Sequence, residues 1–184
     1  IDMYWHYSDF KKKKKGITEE NEDKTSFNGN NGWTGYSWNV NLFPDYKAFL
    51  KKIEDMNLKI TLNIHPADGV RWWEDMYEEM AIAMGIDPKT KQKVNFDIAD
   101  THFINKYFEI LHKPYEKDGV AFWWIDWQQG TSSALEGLDP LWALNHYHYL
   151  DNAVNHDVPL ILSRFSGVGS HRYPLGFSGD TFIT

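Results

Sequence analysis

No cysteine occurs among the 184 residues. That excludes a disulfide framework, a thiolate nucleophile and cysteine-ligated zinc together, and leaves the compartment open. No stretch approaches the roughly 20 consecutive apolar residues of a membrane-crossing helix. The chain opens on Ile1-Asp2-Met3-Tyr4 rather than on a charged and apolar leader. Positive charge is scarce too: 19 Lys and Arg against 26 Asp and Glu give a net charge of -7. This opposes a nucleic-acid partner, because binding to a phosphate backbone draws on clustered cations. The one basic run, Lys11 to Lys15, is followed at once by Glu19, Glu20, Glu22 and Asp23, so it reads as a solvated loop. No G-x-G-x-x-G motif stands at a strand-to-helix turn, which removes the main support for a dinucleotide fold. Gly167-Val168-Gly169 lacks the third glycine and reads as a tight loop near a ligand.

Aromatic residues are abundant: nine Trp, ten Tyr and eleven Phe make up 16% of the chain. That exceeds what one small core needs, and aromatic faces are good platforms for sugar rings. A hydrophobic content of 42% suits one core, hence one domain or part of one. Short apolar runs alternate with segments of helical period, as in repeated βα units around a parallel sheet. The strand candidates are 1–5, 58–64, 120–125 and 158–162, each dense in apolar residues as a doubly covered strand should be. Tyr46, Phe49, Leu50, Ile53 and Met56 follow Pro44-Asp45 at helical spacing. Phe103, Ile104, Tyr107, Phe108 and Leu111 do the same behind Asp100-Thr101, with Pro114 as the expected stop. A helix over 71–84 would turn Trp73, Met76, Tyr77 and Met80 inward. Another, opening at Asp139-Pro140, would bury Leu141, Leu144 and His148.

The run Phe122-Trp123-Trp124-Ile125-Asp126-Trp127-Gln128-Gln129-Gly130 ends an apolar strand on one carboxylate between indoles. Dehydration there is costly, which suits an aspartate that works on a ligand; an Asp capping the next helix fits the local sequence equally. Asp2, His65, Asp126 and Arg164 all fall within or just after the carboxyl ends of candidate strands, where a parallel barrel assembles its active site. That placement favours a (β/α) barrel of the TIM type over a doubly wound sheet.

Several separated motifs resemble glycoside hydrolase family 31, the retaining α-glucosidase and α-xylosidase family. They are Ile1-Asp2-Met3-Tyr4-Trp5, Trp38-Asn39 through Phe43-Pro44-Asp45, Asn63-Ile64-His65-Pro66, Trp124-Ile125-Asp126, and Ser163-Arg164 with Arg172-Tyr173 through Gly179-Asp180. They stand in the family's order. After the aspartate, the family's common Met-Asn-Glu is Trp127-Gln128-Gln129 here. The resemblance implies Asp126 as nucleophile, Asp180 as general acid/base, and Asp2, Arg164 and Trp124 as substrate contacts, with no cofactor and no metal. Retention requires the two carboxyl groups about 5 to 5.5 Å apart. Arg164 would hold Asp126 ionised and grip sugar hydroxyls, or serve as a structural salt bridge. Asp2 would accept from two adjacent sugar hydroxyls, or cap the following loop. His65 is open between a ligand contact and a core residue, since the family often carries an acid there. Trp127 is expected to reshape the sugar pocket, and Trp33 and Trp38 are expected as rim aromatics.

The implied activity is exo-cleavage of a terminal α-linked sugar in a glycoside or oligosaccharide. An α-glucoside and an α-N-acetylgalactosaminide or α-galactoside are both open, as is transglycosylation. A noncatalytic carbohydrate-binding derivative is the competing class. His146 and His148, two apart, point to different helix faces and so do not share a metal. Trp72 and Trp73 could offer a sugar platform or anchor their helix, and the stretch 25–35 reads as a lid or loop. A complete barrel takes eight strands in about 250 residues. Four βα units therefore correspond to the middle half of a catalytic barrel. The expectation is an excerpt of a larger enzyme whose β-sandwich, other barrel strands and trailing domains lie outside it.

Overall fold

The computed structural model describes residues 1–8, 34–130, 133–180 and 182. Among the described residues, four strands make one sheet: β1 (Thr61–Ile64), β2 (Phe122–Ile125), β3 (Leu162–Arg164) and β4 (Gly176–Phe177). Their order across the sheet is their order in sequence, and all three pairings are parallel. A doubly wound sheet reverses its strand order at a switch point. This one does not, and it has the winding of part of a (β/α) barrel.

The register sorts side chains by face. Asn63 pairs with Trp124 and Trp124 with Leu162, while Arg164 pairs with Phe177. Alternation puts Asn63, Trp124, Asp126 and Arg164 on one face and Leu62, Ile64, Trp123 and Ile125 on the other. The second set is buried in the main core with Leu50, Tyr107, Leu111, Leu141 and Leu144. The helices thus cover that face, and the first set lines the barrel interior.

Helix α1 (Tyr46–Asp55) starts where Asp45 accepts the Ala48 N–H. The long connection to β2 contains α2 (Tyr77–Ala83), then α3 (Thr101–Lys106), a π-helical segment (Tyr107–His112) and α4 (Lys113–Lys117). Helix α5 (Pro140–Ala153) is capped by Asp139 and buries Leu141, Leu144 and His148. Capping aspartates satisfy amides that no helical carbonyl can reach.

Several expectations need correction. Residues 1–5 are not a strand: Asp2 accepts the Met3 N–H and turns the chain into a 3-10 helix, Met3–Trp5. Only Ile1 lies along β1, donating to the Thr61 carbonyl and accepting from the Asn63 N–H. The chain expected as strand over 158–162 begins pairing only at Leu162, with Val158 72% exposed. β4 went unforeseen because two residues leave no period to read. Pro114 does not end its helix. The π-helical turn before it changes the hydrogen-bond register, so the proline occupies the first turn of α4, where a missing N–H costs little. Only 77–83 of the expected 71–84 helix is α-helical, although Trp73, Tyr77 and Met80 are buried as anticipated. Lys11 to Lys15, Trp33 and most of 25–35 lie outside the described residues. Thr34, where the chain re-enters them, is fully buried.

Candidate active site

At the carboxyl end of β2, the Asp126 side chain is 11% exposed and surrounded by donors. Arg164 Nε donates to Oδ1 at 2.5 Å, and the Trp127 N–H reaches the same oxygen at 2.8 Å. Asn63 Nδ2 donates to Oδ2 at 3.0 Å, and His65 Nε2 lies 3.7 Å from it. Burial pushes this carboxyl up, but the bonds from Arg164, Asn63 and the Trp127 amide outweigh it and hold Asp126 below the ordinary aspartate range. The group therefore stays an anion at neutral pH.

Arg164 stands at the end of β3, and its guanidinium faces two carboxylates: Nη2 is 3.6 Å from Asp180 Oδ2. Its Cζ lies 5.0 Å from the Trp127 ring centre and 5.1 Å from that of Phe177, distances at which a cation gains from an aromatic face. Gly179, at φ +85°, lets the following chain approach, since a Cβ there would collide with Arg164 Nη1. Asp180 itself is 93% exposed. One guanidinium thus gathers the two acids from different strand ends.

The other expected residues are distributed unevenly. Trp124 faces the interior beside Phe177, edge to face at 5.4 Å. Trp127 is half exposed in a left-handed conformation. His65 is buried at the end of β1. Asp2 is exposed and caps its own turn. Trp38 is not a rim residue: at 3% exposure it stacks on Tyr46 at 4.5 Å and meets Trp5 edge-on, inside the core. Trp73 is buried, and Trp72 lies under Lys91 Nζ at 4.3 Å. His148 bonds Tyr107 and His146 bonds Tyr173, so the two histidines point apart.

Two neighbours of Asp126 had no role in the sequence reading. Asn63 sits two residues before His65, and the same alternation that turns His65 toward the site also turns Asn63. In the sequence, Gln129 marks only a departure from the family wording. Its side-chain amide accepts from the Ala67 N–H at 2.8 Å and donates to the Asp126 carbonyl. Nearby, Glu74 fastens Thr34 and Tyr36 to the loop after β1, accepting from Thr34 Oγ1, the Arg71 N–H and the Tyr36 N–H. Burial raises its carboxyl to about 7 despite those bonds.

The family model described as the glycosyl hydrolases family 31 TIM-barrel domain matches residues 2–184. The chain belongs to glycoside hydrolase family 31. Two family 31 structures share its fold. An α-xylosidase from a soil metagenome, solved with xylose, superposes with a TM-score of 0.54 at 16% identity, over 77% of this chain and 24% of its own. A dextranase from Flavobacterium johnsoniae, solved with glucose, gives 0.50 at 19% identity, over 73% and 20%. The chain thus spans about a quarter or less of either family 31 neighbour. No curated protein sequence matches it.

Proposed function

We propose that the protein containing this barrel segment is a retaining, exo-acting α-glycosidase in which Asp126 is the nucleophile and Asp180 the general acid/base. The observation that carries the proposal is the single guanidinium of Arg164 set between an anionic, dehydrated Asp126 and Asp180. In the first step, an Asp126 oxygen attacks the anomeric carbon while Asp180 protonates the departing glycosidic oxygen. In the second, Asp180 takes a proton from water, which displaces Asp126 from the ester. Arg164 keeps the nucleophile ionised between turnovers, and the pair's opposed roles require opposed environments.

Asp126 has its environment within the described residues. Asp180 is almost wholly in solvent, whereas a closed glycosidase site shields its reacting groups from bulk water. Further chain or bound sugar must cover it, so the 184 residues alone are expected to be inactive. Trp124, Trp127, His65 and Asp2 are proposed as sugar contacts. The half-exposed indole of Trp127 beside Arg164 suits packing against a sugar ring.

Xylose and glucose in the family 31 neighbours keep an α-glucoside or α-xyloside in view. The Trp127-Gln128-Gln129 ending keeps an α-galactoside or α-N-acetylgalactosaminide beside them. The test is to screen the complete protein on 4-nitrophenyl α-glycosides of these sugars, then repeat with Asp126→Ala. Turnover should fall by several orders of magnitude, and azide should restore release with an inverted glycosyl azide as product. Substantial residual turnover in Asp126→Ala would remove that residue from the role. Tight sugar binding without turnover in the wild type would favour a binding derivative instead.

A further inference from the structure

Immediately after Asp126 the backbone does something unusual. Trp127 and Gln129 both adopt left-handed conformations, at φ 61° and 64°. Non-glycine residues avoid this region, and where they occupy it the surrounding structure must hold them there. The left-handed residue at 127 turns the chain sharply as it leaves β2, and the indole at this turn lies over Arg164.

What holds the turn is Gln129, buried to 4% exposure. Its Nε2 donates back to the carbonyl oxygens of Asp126 and Trp127, the second at 3.3 Å. Its Oε1 accepts the Ala67 N–H at 2.8 Å. Ala67 lies in the 3-10 turn Pro66–Asp68, directly after His65, whose Nε2 is 3.7 Å from Asp126 Oδ2. Both ends of one side-chain amide are therefore used, one on each of two neighbouring strand-end loops.

We infer that Gln129 is a positioning residue, a clamp that ties the loop bearing Asp126 and Trp127 to the loop bearing His65 and so fixes the reacting carboxylate; the catalytic consequence rests on the glycosidase reading above. The clamp demands an amide. A hydrocarbon of the same length makes neither bond. A carboxylate keeps the acceptor for Ala67 but turns a negative charge on two carbonyl oxygens. A carboxylic acid again has a donor and an acceptor.

The test uses the complete protein with Gln129→Met and Gln129→Glu. Hydrogen exchange at the Ala67 amide reports the clamp without any turnover, and should accelerate in Gln129→Met while the thermal midpoint stays near that of the wild type. On a cleaved 4-nitrophenyl α-glycoside, kcat of Gln129→Met should drop by up to ~10²-fold, the order of loss that misplacing a reacting group causes. KM should change by a smaller factor than kcat, since the clamp acts on the reacting carboxylate as well as on the sugar contacts Trp127 and His65. Gln129→Glu should be impaired at neutral pH and approach the wild type as pH falls and the acid gains its proton. Unchanged Ala67 exchange in Gln129→Met overturns the clamp. Wild-type kcat in Gln129→Met, or a Gln129→Glu deficit that ignores pH, overturns its role in positioning. A wild type that turns over no glycoside defeats the functional reading instead, and the exchange comparison still decides the clamp.

Discussion

Burial alone would push the Asp126 carboxyl upward, and the donors around it reverse the sign. The direction of the net shift settles its linkage to stability. A folded pKa below the unfolded one means that the bonded anion stabilises the fold above the ordinary aspartate pKa, and that this contribution disappears as pH falls through the lower, folded value. In the wild type the loss is therefore confined to acid conditions. Replacing Arg164 by Met removes the strongest opposing donor and leaves the burial cost in place. The Asp126 pKa should rise, and the acid limb of the kcat/KM profile should move to higher pH. Titrating the two proteins side by side checks this, and coincident acid limbs would show that Arg164 does not govern the ionisation. The same substitution releases Trp127 from its cation and Asp180 from its shared partner, so its effects on turnover should exceed the effect of the pKa change alone.

At the scale of elements, the loop after β1 shows how tightly the strand ends are built. Gly69 has φ +70°, and a Cβ there would land on the Val94 carbonyl oxygen. That oxygen accepts the Val70 N–H at 2.8 Å in a bridge returned by Val94 to Val70 at 3.0 Å. Gly69→Ala should cost about 2 to 4 kcal/mol, from strain at a backbone conformation open essentially to glycine and from disruption of the bridge. Denaturant unfolding of the complete protein measures it, and a loss below ~1 kcal/mol would mean that the loop relaxes freely. Sequence could find α1, whose apolar face repeats after the Asp45 cap, and α5, whose start Asp139-Pro140 announces. It could also find β2, a short apolar run ending on Asp126. Periodicity has no purchase on β4, whose two residues are paired by their surroundings, or on the π-helical turn, which shifts register without a residue signature. In the site, Asp126 and Arg164 were visible as charges at strand ends. The neutral amides of Asn63 and Gln129 were not, since their roles exist only once neighbouring strands are in register.

At the scale of the molecule, four parallel strands in sequential order have the winding of a barrel without its closure. In a closed barrel, the interior row holding Asn63, Trp124 and Arg164 packs in layers against side chains from the remaining strands. Ile1 covers part of the outer edge of β1, whereas β4 has no second strand beside it among the described residues. Phe165 and Val168 follow β3, and Leu175 and Phe182 flank β4; all four are substantially exposed. An open parallel edge next to apolar side chains invites pairing with another chain. The 184 residues expressed alone should therefore self-associate, bind a dye that reports exposed apolar surface, and melt without a single cooperative transition. The complete protein should give one defined species and a cooperative melt. Gel filtration with light scattering and calorimetry distinguishes the two. A stable, cooperatively melting monomer of these residues would mean that the helical layer, with Leu50, Tyr107, Leu111 and Leu144 at its centre, supports half a barrel without the other half.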